Sequence, residues 1–380
     1  MSLRILRGAL CAFTLLCLGF VPSRAADAPA ELKVPPNFSI EIIAHVASAR
    51  ELAIASNGDL FVGTEGRNVM LVPGAEGTPQ APRIFVELGD APAAGVALGE
   101  GALYAGTFSG VWRVPYVNGK RSGGPVKIAS VRLGGGRGHL TTSVASAADR
   151  LYASVGSSCN ACTESDPTRA TIQEMEFDGR GMHAKAVHIR NAIALAVNPA
   201  SGAVWAGVAG QDELEPGHPY EDFDPFTLHA GTPDYGWPVC YENHKAKDGS
   251  RTCSDVVIPR VVFPAYNTPI GATFYPLHPT GKYAFPAEYA GGAFVALHGS
   301  WHEPLVPPRV AFVAIKGDEP LKPVDWSDPS AQWREFVGGF QRADESRIGR
   351  PTGIAVGPEG SLFVADDQAG VVYRIRPKVH

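Results

Sequence analysis

Positive charge is in short supply in this 380-residue chain, with 33 lysines and arginines against 38 aspartates and glutamates. A mildly acidic balance argues against nucleic acid or an anionic membrane surface as the partner. Charged residues of either sign reach only 19 %, and no heptad pattern, long amphipathic helix or low-complexity tract appears. Beyond residue 25 no apolar run approaches the roughly 20 residues that a spanning helix needs, so no membrane span is expected. Cysteine is sparse too, at 6 residues.

What is present begins with a leader. Arg4 and Arg7 precede an apolar stretch from Gly8 to Val21, followed by Ser23-Arg24-Ala25. That order of charge, apolar run and small residues predicts a signal peptide over residues 1–25 and a periplasmic or secreted protein. Cys17 follows Leu16 rather than a small residue, so no lipid anchor is expected. Loss of the leader would remove three arginines and no acid, moving the formal charge from −5 to −8.

Four cysteines then remain: Cys159, Cys162, Cys240 and Cys253. In an oxidising compartment an even number reads as disulfides, with three possible pairings. Short local loops favour Cys159–Cys162 and Cys240–Cys253. Thr163 stands where a haem-attachment motif has histidine, and no βαβ context supports a thioredoxin-like role, so Cys159-Asn-Ala-Cys162 is expected to be a structural staple.

With Gly at 43 and Pro at 32, the composition suits short strands and turns. One unit recurs: an apolar strand, a turn with Gly or Asp, and a second apolar strand ending in small residues. It occupies Leu52–Gly63, Gly95–Gly106, Thr142–Ser154, Ile193–Gly207, a looser span from Gly271 to Ala296, and Gly353–Ala365. Six copies predict an all-β, six-bladed β-propeller filling residues 26–380 as one domain, with an insertion at about 212–262. The stretch from Glu41 to Val46 is expected to close the ring against Tyr373–Arg376. A β-sandwich or a two-domain β protein is the plainer alternative, and the ring alone does not give a function.

Three polar residues fall at matching places just ahead of blades. His139 ends Gly134-Gly-Gly-Arg-Gly-His139, Arg190 and Asn191 precede Ala192, and Arg350 precedes Pro351. Loops at this point face the channel mouth, where a histidine can act as a base and an arginine can meet a carboxylate or oxyanion. Taken singly, each is an ordinary loop residue. His298-Gly-Ser-Trp-His302 has zinc-like spacing, but its glycine and serine disfavour the helix such a site requires. The acids between Asp212 and Asp224 fail the EF-hand pattern and read by default as a solvated loop. Asp366-Asp367 reads as the end of a strand.

These residues resemble the family of pyrroloquinoline-quinone (PQQ)-dependent soluble glucose, sorbosone and pyranose dehydrogenases. The resemblance is carried by Gly138-His139-Leu-Thr-Thr, Ser158-Cys159-Asn-Ala-Cys162, Ile189-Arg190-Asn191, Asp234-Tyr-Gly-Trp-Pro-Val-Cys240, Phe285-Pro-Ala-Glu-Tyr289, His298-Gly-Ser-Trp301 and Gly349-Arg350-Pro351, in order along the chain. It implies a sugar or aldehyde dehydrogenase with PQQ over the channel and calcium bridging it. His139 then matches the general base, Arg190 and Asn191 the cofactor contacts, and Arg350 a carboxylate partner. Main-chain oxygens of Gly210 and Gln211 would hold calcium. The implied chemistry is proton removal by His139 with hydride transfer to the quinone, Arg190 and calcium stabilising charge on its oxygen, and a cytochrome or quinone as electron acceptor. The chain departs from the family at Ala209-Gly-Gln-Asp212, at Pro219–Asp224, at His302 in place of an asparagine, and at Ser157, where an acid supports the base in glucose dehydrogenases. A calcium-dependent, lactonase-type propeller hydrolase and a non-catalytic binding propeller are the rival readings.

Overall fold

The computed structural model describes residues 26–117, 119–302 and 305–378; the expected leader lies outside the described residues. Six antiparallel sheets form a ring, and each contributes its first strand to the centre. Blade 1 runs through Ala49–Ile54, Leu60–Thr64, Asn68–Val72 and Arg83–Glu87, and blade 2 through Gly95–Gly99, Ala102–Thr107, Gly110–Val117 and Val126–Ser130. Blade 3 comprises Val144–Ala147, Arg150–Val155, Thr171–Met175 and His183–Val187; blade 4 comprises Ala192–Val197, Val204–Val208, Glu221–Asp224 and Val261–Phe263. Blade 5 is Pro269–Phe274, Ala293–Leu297, Arg309–Val313 and Trp333–Val337. Blade 6 takes Pro351–Val356, Leu362–Asp366 and Val371–Pro377 from one end of the described chain and Phe38–His45 from the other.

That last pairing closes the ring as the sequence predicts, with Ile40 opposite Ile375 and Ile42 opposite Tyr373. Arg374 seals the seam from within: its guanidinium pairs with Glu41 at 2.7 Å and donates to the Ala75 carbonyl. Between blades the sheets pack through alternate apolar side chains, as strands with a period of two require. Phe38, Phe285, Tyr289, Phe294 and Phe336 interlock edge to face between blades 5 and 6. Burial of each such ring stabilises the fold by about 1.5–3 kcal/mol relative to exposure.

The structure redraws the expected insertion. Glu221–Asp224 lies inside the 212–262 span and Val261–Phe263 straddles its end, yet together they form the outer half of blade 4. The additional chain is the excursion between them, tied by the Cys240–Cys253 disulfide. The default reading of its acids as a solvated loop is thereby corrected for two of them. Strand pairing buries Glu221 and Asp224, and Asp224 accepts from Tyr235 at 2.6 Å and from His229 at 2.7 Å. Among the described residues no helix is long and apolar enough to cross a membrane.

Candidate functional site

The inner strands surround a narrow channel lined by Leu52, Val96, Val144, Ile193, Ala272 and Ile354, one from each blade. Glu51 adds the channel's carboxyl group. Burial pushes it up to about 8, although the Ser143 hydroxyl donates to it.

His139 is held at the mouth by the loop between blades 2 and 3. Gly138 adopts φ +95°, and a Cβ there would lie 2.5 Å from the Ser157 carbonyl oxygen, so the turn admits only glycine. Arg132 clamps the loop from below, donating to the carbonyls of His139 and Thr141. The His139 ring places Nδ1 3.1 Å from the Ser157 carbonyl and 3.0 Å from its Oγ. A carbonyl can only accept, and Ser157 Oγ spends its own proton on the Cys159 carbonyl at 2.7 Å. Nδ1 therefore carries the hydrogen, and Nε2 presents a lone pair that no described residue engages. Burial, then the charge of Arg190, with smaller contributions from Arg132 and Arg169, bring the imidazole down to about 4 against the opposing pull of the Ser157 bond.

Arg190 enters from the start of blade 4 and is buried. Its Nη2 pairs with Asp212 at 3.0 Å, and Nη1 reaches the Ala209 carbonyl at 3.4 Å. Asn191 sits beside it, its Oδ1 buried and without a donor among the described residues. Gly156 makes room for both neighbours: a Cβ there would stand 2.5 Å from Asn191 Oδ1 and 2.5 Å from His139 Cβ. Gly210 follows the second strand of blade 4 and donates its N–H to Glu221 at 3.0 Å. Gln211 is buried. Burial raises Glu221 to about 7 despite that bond and the charge of Arg190.

The facing side is built from blades 5, 6 and 1. Arg350 donates to the carbonyls of His298 at 3.2 Å and Gly299 at 2.8 Å. His298 contacts both Asp367 oxygens at 3.1 and 3.0 Å, and Arg50 pairs with Asp367 at 3.0 Å. Burial lowers His298 to about 4 in spite of its carboxylate partner. It pushes Asp367 upward, but the His298 bond and the charges of Arg50 and Arg350 outweigh it and hold the carboxyl below its ordinary value.

Of the sequence-predicted residues, His139, Arg190 and Asn191 thus form one group, and Arg350 joins another around His298. No hydrogen bond or ion pair among the described residues joins the groups directly. His302 lies near the first group, its Nδ1 3.0 Å from Ser300 Oγ and its Nε2 3.5 Å from Asp212 Oδ1 but without a hydrogen bond among the described residues. The two histidines of His298-Gly-Ser-Trp-His302 face different partners. The sequence pattern gives no sign of Arg50, and it does not signal that Asp212 pairs with Arg190 or that His298 meets Asp367. Asp366-Asp367 reads in the sequence as the end of a strand, and nothing local signals that Asp367 meets a histidine 69 residues away.

Residues 234–378 match the family model described as TrAA12-like. A protein of Borreliella burgdorferi described as uncharacterised is 25 % identical over 232 residues, 60 % of this chain and 57 % of its own length; the chain thus spans little over half of that relative. Among solved structures, the holo PQQ domain of pyranose dehydrogenase from Coprinopsis cinerea superposes with a TM-score of 0.77 at 17 % identity, covering 92 % of this chain and 98 % of that one. The calcium structure of the Trichoderma reesei family AA12 enzyme gives 0.74 at 17 % identity, over 95 % and 99 %. The apo soluble aldose sugar dehydrogenase of Escherichia coli gives 0.63 at 15 % identity, over 90 % and 100 %. The fold is therefore shared with these propellers along nearly the whole described chain, in agreement with the resemblance read from the sequence.

Proposed function

We propose that this chain is an exported PQQ-dependent dehydrogenase that oxidises a sugar or aldehyde. The observation that carries the reading is the mouth of the channel: a neutral histidine with its Nε2 lone pair open, beside a buried arginine and an asparagine oxygen that has no donor. That oxygen suits a cation or a donor group on a ligand, and the arginines Arg50, Arg190 and Arg350 around the mouth suit a ligand carrying several carboxylates. The residues present fit PQQ in this respect. Among the described residues the side chains grouped closely enough for a metal are Cys159, Cys162 and Glu164, and the two cysteines are bonded to each other. Calcium would accordingly rely on main-chain oxygens at Gly210 and Gln211 and on the cofactor itself.

When bound, PQQ with calcium supplies a two-electron acceptor for hydride. This chain supplies the rest. His139 Nε2 takes the substrate hydroxyl proton, and Ser157 keeps the ring in the tautomer that can do so. Arg190 and Arg350 orient the cofactor carboxylates and stabilise developing negative charge, from positions fixed by carbonyl and carboxylate partners. Electrons would leave to a cytochrome or a quinone. Reconstitution of the apoprotein with PQQ and calcium, followed by dye reduction over a panel of aldoses and aldehydes, tests the reading. Calcium-dependent PQQ binding with turnover of at least one class is expected. No PQQ binding at micromolar cofactor would overturn it.

A further inference from the structure

The Cys159–Cys162 loop, expected to be a plain staple, supplies two of the four hydrogen bonds that hold the Arg190 guanidinium. Asn160, inside the loop, uses every polar atom it has except its main-chain N–H. Its carbonyl accepts from Arg190 Nε at 3.2 Å and Trp237 Nε1 at 3.0 Å. Its Oδ1 accepts from Arg190 Nη2 at 3.1 Å and the Asp212 N–H at 2.8 Å, while Nδ2 donates to the Asp212 carbonyl at 3.0 Å. Asn160 thus pairs with the Asp212 backbone as a strand would, and delivers the Asp212 carboxylate to Arg190. The neighbouring Cys159 carbonyl takes the Ser157 hydroxyl that abuts the His139 ring. One four-residue loop therefore underpins side chains from blade 3, blade 4 and the excursion.

We infer that Asn160 is a positioning residue, held by the Cys159–Cys162 disulfide in the one register that fixes Arg190 and Asp212 for the cofactor. The inference rests on the proposed function for its ligand, and on the structure alone for its geometry. A saturated amide with both arms committed sets a guanidinium's direction more tightly than a single carboxylate does, because each additional bond removes a rotational freedom. The disulfide is partly exposed, and Cys162 lines an open cleft shared with Arg169, His188 and Trp237, which gives a small thiol a path to it. Cys240 and Cys253 are each only 5 % exposed, which lets mild reduction select the first bridge.

The test compares Asn160→Ala, Asn160→Asp, the double variant Cys159→Ser with Cys162→Ser, and wild type treated with a small dithiol. Without any ligand, the Arg190 Nη2–H and Asp212 main-chain N–H resonances report directly on the two bonds that the Asn160 side-chain oxygen accepts. Solvent exchange of both should speed up by about tenfold or more in Asn160→Ala and in the opened-loop proteins, with the thermal midpoint nearly unmoved. Titration with PQQ and calcium should then show an affinity loss of about 10–100-fold, with Asn160→Asp between wild type and Asn160→Ala because it keeps the acceptor and loses the donor. Turnover should recover at saturating PQQ. Unchanged Arg190 exchange in Asn160→Ala overturns the inference, as does an unchanged cofactor affinity once that exchange has risen. If wild type binds no PQQ, the functional reading fails by itself, and the Arg190 exchange alone decides the positioning role.

Discussion

Two buried histidines flank the channel mouth, both brought down to about 4, yet their surroundings fit them for different work. His298 spends Nε2 on a carboxylate that is in turn neutralised by Arg50, so its ring is a fixed strut beneath Arg350. His139 leans its Nδ1 on two neutral oxygens of Ser157 and leaves Nε2 open. A similar proton affinity therefore accompanies opposite capacities. On the proposed reading, what would separate a base from a structural histidine here is which nitrogen is engaged.

The comparison breaks most visibly in turnover. His139→Ala is expected to lower turnover by about 10²–10⁴-fold with cofactor affinity nearly unchanged, the usual worth of a placed proton acceptor. Wild-type turnover at saturating PQQ in that variant would make the histidine a loop residue. The pH profile comes next. A base must be unprotonated, so kcat/KM should stay level down to about pH 5 and fall by about tenfold per unit below about 4. An acid limb centred near 6.5 would show that burial and Arg190 do not act on the ring. The same depressed value means that the stability contributed by His139 in its neutral form is present above 6.5 and lost as the pH falls through about 4, which calls for brief exposure in acid.

Smaller effects sharpen the contrast. His298→Gln should cost about 1–3 kcal/mol in denaturant unfolding, since Asp367 loses a buried partner, while turnover stays within a few-fold of wild type. A His298→Gln protein of normal stability and crippled turnover would reverse the roles assigned to the two rings. Ser157→Ala should matter least. The main-chain carbonyl still holds Nδ1–H, so about 0.5–1.5 kcal/mol is at stake, seen as a few-fold drop in rate without a shift in cofactor affinity.

The ring was legible because strand repetition is local: each inner strand and its turn announce themselves within about a dozen residues, and the closing strand from Glu41 carries the same alternation. The positions of His139, Arg190, Asn191 and Arg350 ahead of their blades were legible for the same reason, whatever their roles. Their partners were not. Asp212 reaches Arg190 across 22 residues, and Arg50 reaches Asp367 across 317. Such pairs are created by closing the ring, and no period in the sequence encodes them. The outer strands of blade 4 were hidden for another reason. Glu221-Asp-Phe-Asp224 is acidic, and only the burial of Glu221 and Asp224 against tyrosine, histidine and backbone donors reveals it as sheet.

The seam in blade 6 has a consequence for how this protein comes into being. Glu41 and Arg374 stand 333 residues apart, so the sheet that shuts the ring cannot form until almost the whole chain has emerged. Loop closure over such a separation makes the final step slow relative to the local hairpins that precede it. Until then the apolar edge beside Phe38, Phe285 and Phe336 is uncovered, and a half-built ring exposes unpaired strand edges that invite pairing with other chains. Deletion of the segment Phe38–His45 should therefore appear first as aggregation during refolding, well before any altered chemistry could be measured.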